Sequence, residues 1–241
     1  MQAQMYVPPL SKINKMIIIV TVAVFLLNSI LGLAGKMSLV PWLGLSWAGL
    51  SGGLVYQPLT FVFMESSLMG VLFNCLLIWF IGSELEQKWG PIFYLKYLVL
   101  SVLASACVYV ALSLTGVTGG LLAGLGGVTY SLLVAYGLLF SDRMLTFMLI
   151  FPMKAKYFCM VLAGMQLYLG VFSGGGLVSL VHLSAMIFGF IYLKWASMKA
   201  RGVTLSDVME KKRRNKQKRS LYIVPDEEKD KADPKDPRFW Q

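Results

Sequence analysis

His182 is the sole histidine in the chain. It is therefore the one side chain whose ordinary titration suits general-base work near neutral pH. Ser179 and Ser184 flank it, next to the glycine run Gly174-Gly-Gly176. A base of this kind supports acyl transfer when an oxygen or sulfur nucleophile stands within hydrogen-bond reach. By itself, a histidine in an apolar run is more often a hydrogen-bonded packing residue. The other polar side chains set in apolar surroundings are Asn28, Glu65, Asn74, Glu84, Glu86, Gln166, Tyr130 and Tyr168. Cys75, Cys107 and Cys159 stand at unrelated spacings, so they form neither a disulfide framework nor a metal knuckle and are expected to be small buried hydrophobes. HExxH, paired CxxC, Walker and GxGxxG patterns are all missing from the sequence, which predicts no metal and no cofactor.

The elements that would position these residues are unusual. Of 241 residues, 57% are hydrophobic and 14% charged, against about 25% charged in an ordinary soluble domain. Met198–Gln241 holds 13 of the 22 Lys and Arg and 8 of the 12 Asp and Glu. The first 197 residues are nearly free of charge. That pattern excludes a water-soluble globule, a disordered chain and a nucleic-acid binder despite the net +10, because the basicity sits on an appendage. The body must be solvated by lipid.

A bilayer core about 30 Å thick takes about 20 apolar residues of helix. Six segments meet or approach that length: Met16–Gly35, Pro58–Ile81, Pro91–Leu114, Gly126–Phe140, Tyr157–Phe172 and Leu177–Ala196. The fourth and fifth are short, which neighbouring helices and a protein-lined cavity would tolerate. A signal peptide is the other reading of the first segment, but the run is long and lacks an A-x-A cleavage pattern. With a cytoplasmic N-terminus, Lys12, Lys15, Lys88, Lys96, Arg143, Lys154, Lys156 and Lys194 fall inside and Lys36 outside. Both termini are then cytoplasmic, in what fits a bacterial plasma membrane. The outer connections Met37–Gln57, Thr115–Ala123 and Ser173–Gly176 are glycine-rich and read as flexible loops.

From residue 198 the chain is expected to be a basic, largely disordered cytoplasmic tail. Thr204-Leu-Ser-Asp207 resembles a helix capping box, and Lys211–Arg219 is a basic run suited to anionic lipid or a cytosolic partner.

Four stretches, in order and at consistent spacing, resemble the rhomboid superfamily over nearly all of residues 12–197. Phe61–Asn74 is similar to its second-helix motif, and Glu84-Leu-Glu-Gln-Lys-Trp-Gly90 to the turn that follows. Gly124-Leu-Gly-Gly127, running on to Tyr130, resembles the Gly-x-Ser-Gly start of the fourth helix. His182-Leu-Ser-Ala-Met-Ile-Phe-Gly189 resembles the sixth-helix run. The resemblance implies an all-α, six-transmembrane-helix bundle carrying a serine–histidine intramembrane protease site. Matched by position, the nucleophile falls on Gly126 and the base on His182. The oxyanion-supporting histidine and asparagine fall on Gly70 and Asn74, an earlier histidine on Glu65, and the ring that packs on the base on Tyr130. Gly126 and Tyr130 are four apart, as are Gly70 and Asn74, so each pair shares a helix face.

Glycine offers no nucleophilic atom, so the catalytic site is degenerate at Gly126 and His182 with no intact catalytic set. The expectation is a pseudoprotease that holds transmembrane segments of client proteins, in membrane-protein assembly or quality control, lined by Gly70, Asn74, Gly124, Gly126, Gly127, Tyr130 and His182. The alternatives are an active serine protease whose nucleophile was exchanged for Gly126, and a six-span transporter or channel. Against the transporter, the spans show no inverted repeat and no mid-depth carboxylate. Thr129, Ser131 and Ser184 are the neighbouring hydroxyls that a rescued mechanism would need.

Overall fold

The computed structural model describes residues 9–35, 38–115, 120–142, 144–147, 151–172 and 176–200. Five helices are long and apolar enough to cross a membrane: α1 (Lys12–Leu33), α2 (Leu68–Trp89), α3 (Pro91–Leu114), α5 (Ala155–Phe172) and α6 (Gly176–Ala200). Between them stands the shorter apolar helix α4 (Gly126–Leu139). The chain divides into two units at Leu193 and Lys194. The expected tail, with Thr204–Asp207 and Lys211–Arg219, lies outside the described residues, as does most of Ser173–Gly176.

The helices are built inside out. On α1 the buried side chains are Asn14 and Thr21, whereas Met16, Ile19, Leu26, Leu27 and Ile30 are exposed. In water such a face would aggregate; in lipid it is the ordinary outward surface, and Asn14 and Thr21 are the side chains that turn inward. Asn14 finds two partners, accepting from the Tyr94 hydroxyl at 2.7 Å and donating to Ser83 Oγ at 3.4 Å. A π turn at Ile78–Gly82 brings the Gly82 backbone against this cluster. A Cβ on Gly82 would lie 2.5 Å from the Tyr94 hydroxyl. At the other end of α1, Asn28 Oδ1 accepts from the Leu39 N–H at 2.9 Å.

Helix α4, at 14 residues, is about 21 Å long. It compensates by burial on most sides: Gly127, Val128, Thr129, Ser131, Leu132, Leu133, Ala135 and Tyr136 are all buried. Small residues make the close approach possible. A Cβ on Gly127 would lie 2.7 Å from Ser105 Oγ of α3, and one on Gly189 of α6 would strike the Tyr97 hydroxyl, which donates to the Ser131 carbonyl at 2.8 Å.

Several expectations are corrected. The second span begins at Leu68, ten residues after Pro58, because the chain is interrupted: short helical turns at Gln57–Thr60 and Phe61–Phe63 end in extended backbone at Met64. The helix restarts where the Ser67 side chain accepts the Gly70 N–H. Glu84–Trp89 is helix rather than turn, and the reversal falls on Gly90 alone, at φ +80°. Residues 38–57 are not a flexible connection. They form short helices at Val40–Leu43 and Trp47–Ser51, and buried Gln57 ties them together, accepting from the Ser46 N–H at 3.2 Å and donating to the Pro41 carbonyl at 3.1 Å. Leu45 and Leu122 exchange two backbone hydrogen bonds of 2.9 Å.

The link after α4 carries a short antiparallel hairpin, β1 (Met144–Phe147) with β2 (Phe151–Lys154), attached to a helical bundle of the expected class. Beside it, Lys156 Nζ stands 3.3 Å from Asp142 and holds that carboxyl below its ordinary range. The cysteines are free. Cys107 is exposed, Cys75 and Cys159 half-buried, because the inward face of α3 is set by Ser101, Val102, Ser105 and Tyr109 at helical spacing.

Candidate functional site

Two groups of side chains meet at the start of α4. The first joins α4 to α6. Gly126 is the first residue of α4, and the His182 ring fills the space its side chain would occupy. A Cβ there would lie 2.5 Å from Nε2 and 2.7 Å from Cε1 of His182, both well inside van der Waals contact. One turn on, the Tyr130 ring packs on His182 with centroids 5.1 Å apart and planes tilted by 36°. Among the described residues the His182 imidazole makes no hydrogen bond.

The second group lies on the other side of the same helix start. Glu65 sits in the break before α2, outside any helix, and is buried. Its Oε1 accepts two hydrogen bonds of 2.8 Å, from Asn74 Nδ2 and from the Leu125 N–H. Asn74 is held in turn at its other end, where Oδ1 accepts from the Thr129 hydroxyl at 3.0 Å. Gly70 and Gly124 face this carboxylate. A Cβ on Gly70 would lie 2.9 Å from Oε2, and one on Gly124 3.0 Å from Oε1. Gly124 also has φ +105°, which favours glycine, and its N–H donates to the Phe61 carbonyl at 2.9 Å.

Six of the seven singled-out residues thus line one region: Gly126, Tyr130 and His182 together, and Gly70, Asn74 and Gly124 around Glu65. Gly127 faces Ser105 and Ala185, in the seam between helices. From the sequence, Glu65 stands out as a polar residue in an apolar run and as the place of a histidine. Its role as the carboxylate capping α4 was missed, and the available signal was that Glu65 is the sole acid between Met1 and Ser83.

The neighbouring hydroxyls are engaged elsewhere. Thr129 has one proton, and its oxygen stands 3.0 Å from Asn74 Oδ1 and 2.9 Å from the Gly126 carbonyl. Ser131 donates to the Val128 carbonyl at 2.8 Å and lies 3.1 Å from Ser101 Oγ, and Ser184 donates to the Val181 carbonyl at 2.7 Å. A hydroxyl spent on a helix carbonyl does not present its proton to a distant imidazole. The arrangement offers a base and an amide with a backbone N–H, but no oxygen or sulfur at 126 for the base to activate. Two further polar residues stand apart from this: Gln166 is buried, with Oε1 unpartnered among the described residues, while Tyr168 is exposed rather than inward.

Residues 15–215 match a family described as Eukaryotic integral membrane protein (DUF1751). The chain is also similar to proteins named Rhomboid protease GlpG from Salmonella choleraesuis (strain SC-B67), Salmonella newport (strain SL254) and Salmonella typhimurium (strain LT2). Each is 32% identical over 115 residues, covering 48% of this chain and 40% of the relative. The matched stretch therefore spans about two fifths of those relatives' length.

Proposed function

The chain belongs to the DUF1751 family of integral membrane proteins, within the rhomboid superfamily, and on that premise we propose that it is a pseudoprotease that binds transmembrane segments of client proteins. The observation that carries this reading is the Gly126–His182 contact: where the resemblance puts a nucleophile, the base itself occupies the side-chain space. The engaged hydroxyls of Thr129, Ser131 and Ser184 support it, since a substitute nucleophile would first have to give up its present bond. Clients would be helices with weak or polar turns, whose backbone groups find partners at Tyr130 and His182 that lipid does not provide. The short α4 would thin the bilayer beside it and ease their entry. The role we assign is assembly or quality control of membrane proteins, with Lys211–Arg219 reaching anionic lipid or a cytosolic partner. Charge asymmetry supports cytoplasmic termini. The compartment we propose is a bacterial plasma membrane.

A second reading, an active protease whose nucleophile was exchanged for glycine, is favoured by the protease names of the relatives. One experiment separates the two. The unaltered full chain and Gly126→Ser are each reacted with a serine-directed fluorophosphonate and a helical transmembrane reporter, activity appearing on that single change being the mark of an exchanged nucleophile, and photocrosslinkers are placed at Asn74 and Tyr130 in cells. Crosslinks to transmembrane proteins without labelling or cleavage are the expected outcome. Reporter cleavage by the unaltered chain refutes the pseudoprotease, and a site that traps no transmembrane protein refutes client binding.

A further inference from the structure

A buried carboxylate is ordinarily met by a cation or by several donors, because desolvating the charge alone is expensive. Glu65, 6% exposed, is met by two donors on one oxygen. The Leu125 N–H is one of the N–H groups at the start of α4 that no helix carbonyl can satisfy. Asn74 Oδ1 stands 3.0 Å from the Thr129 hydroxyl, the amide orientation that turns Nδ2 toward Glu65. Those two donors stand whether or not Glu65 is present, since a helix start and α2 hold them. Glycine at 70 and 124 is what leaves room for the carboxylate, whose oxygens lie 2.9 and 3.0 Å from where those two Cβ atoms would be.

We propose that Asn74 Nδ2 and the Leu125 N–H form a carboxylate-binding pocket beside Gly126, that Glu65 fills it from within the chain, and that a small monocarboxylate takes the place when Glu65 is removed. While Glu65 is seated, no carbonyl of a bound segment reaches these donors. The pocket is therefore closed to chemistry independently of what stands at 126. This goes beyond client binding and does not rest on it.

The test uses the full chain in detergent micelles and thermal unfolding as the readout. Glu65→Ala lowers the midpoint, on the order of 10 °C for two lost charge-assisted bonds. Formate then raises it saturably, as a ligand of the folded state does, while chloride at matched ionic strength does not. The unaltered chain and Glu65→Gln, whose amide oxygen still fills the pocket, do not respond to formate. Adding Asn74→Leu to Glu65→Ala abolishes the response. An equal formate effect on the unaltered chain and on Glu65→Ala overturns the proposal, as does a formate effect on Glu65→Ala no larger than that of chloride. Should Glu65→Ala not purify as a folded species, its yield with and without formate becomes the readout. Formate-dependent recovery supports the pocket, and equal loss in both buffers overturns it.

Discussion

Placing serine at 126 is expected to leave the chain without protease activity. In Gly126→Ser the new Cβ starts 2.5 Å from His182 Nε2, where ordinary contact begins at 3.4 Å, so the ring must retreat by about 0.9 Å. Tyr130 packs on that ring at 5.1 Å and resists the movement. Overpacking of this kind costs about 1–3 kcal/mol. The better helix propensity of serine returns about 0.5 kcal/mol. The expected net loss is about 0.5–2.5 kcal/mol, which lowers the melting temperature by roughly 1–10 °C for a chain of this size. The displaced imidazole is no longer set to take the new hydroxyl's proton, so fluorophosphonate labelling and reporter cleavage stay at background. Adding Gly70→His alone does not help, because its Cβ meets Glu65 Oε2 at 2.9 Å. Replacing Glu65 in the same chain removes that second clash but leaves His182 displaced by the serine, so labelling is expected to stay at background there too. If Gly126→Ser alone melts with the parent and labels with the fluorophosphonate, the steric argument about His182 is wrong, and an exchanged nucleophile becomes the better account.

Gly189→Ala forces a Cβ into the Tyr97 hydroxyl and is expected to cost about 1–3 kcal/mol; adding Tyr97→Phe recovers part of the loss, and a double-mutant cycle in thermal unfolding that shows simple additivity refutes the contact. Asn14→Ala leaves the buried Tyr94 hydroxyl without its acceptor and lowers stability by about 1–3 kcal/mol, whereas Tyr94→Phe with Asn14→Leu costs less than the two single changes together. Lys156 lowers the Asp142 carboxyl, so this pair contributes above the ordinary carboxylate range and loses its contribution as pH falls through the lowered value. Because Asp142 is fully exposed, Lys156→Ala should move its NMR titration upward while the melting temperature stays within error, and a clear drop in melting temperature contradicts that reading.

The six apolar helices could be read directly along the chain, and Pro91–Leu114 appears with the same bounds. Hydropathy is a sum over neighbouring residues, so no distant contact is needed to recognise it. The break at Met64–Ser67 was hidden for the same reason: Phe61–Met64 is as apolar as the helix that follows, and only the Ser67 cap and the extended Met64 separate them. The folded segment at 38–57 escaped because its glycines suggest freedom, while its order comes from one buried amide, that of Gln57, reaching across sixteen residues to Pro41. The hairpin at Met144–Lys154 was masked by an apolar run that, by composition, continues the membrane pattern.

That residue 126 carries no side chain, and that lipid must surround the helices, are covalent and compositional facts, true of any arrangement of these amino acids. The meeting of Glu65 with Leu125 across 60 positions, and of Asn74 with Thr129 across 55, is of another kind. Such contacts depend on which helix faces pack together, and no local pattern encodes the distance between two side chains so far apart along the chain. Folding alone turned an isolated acid into the cap of α4 and left His182 resting where a side chain would have been.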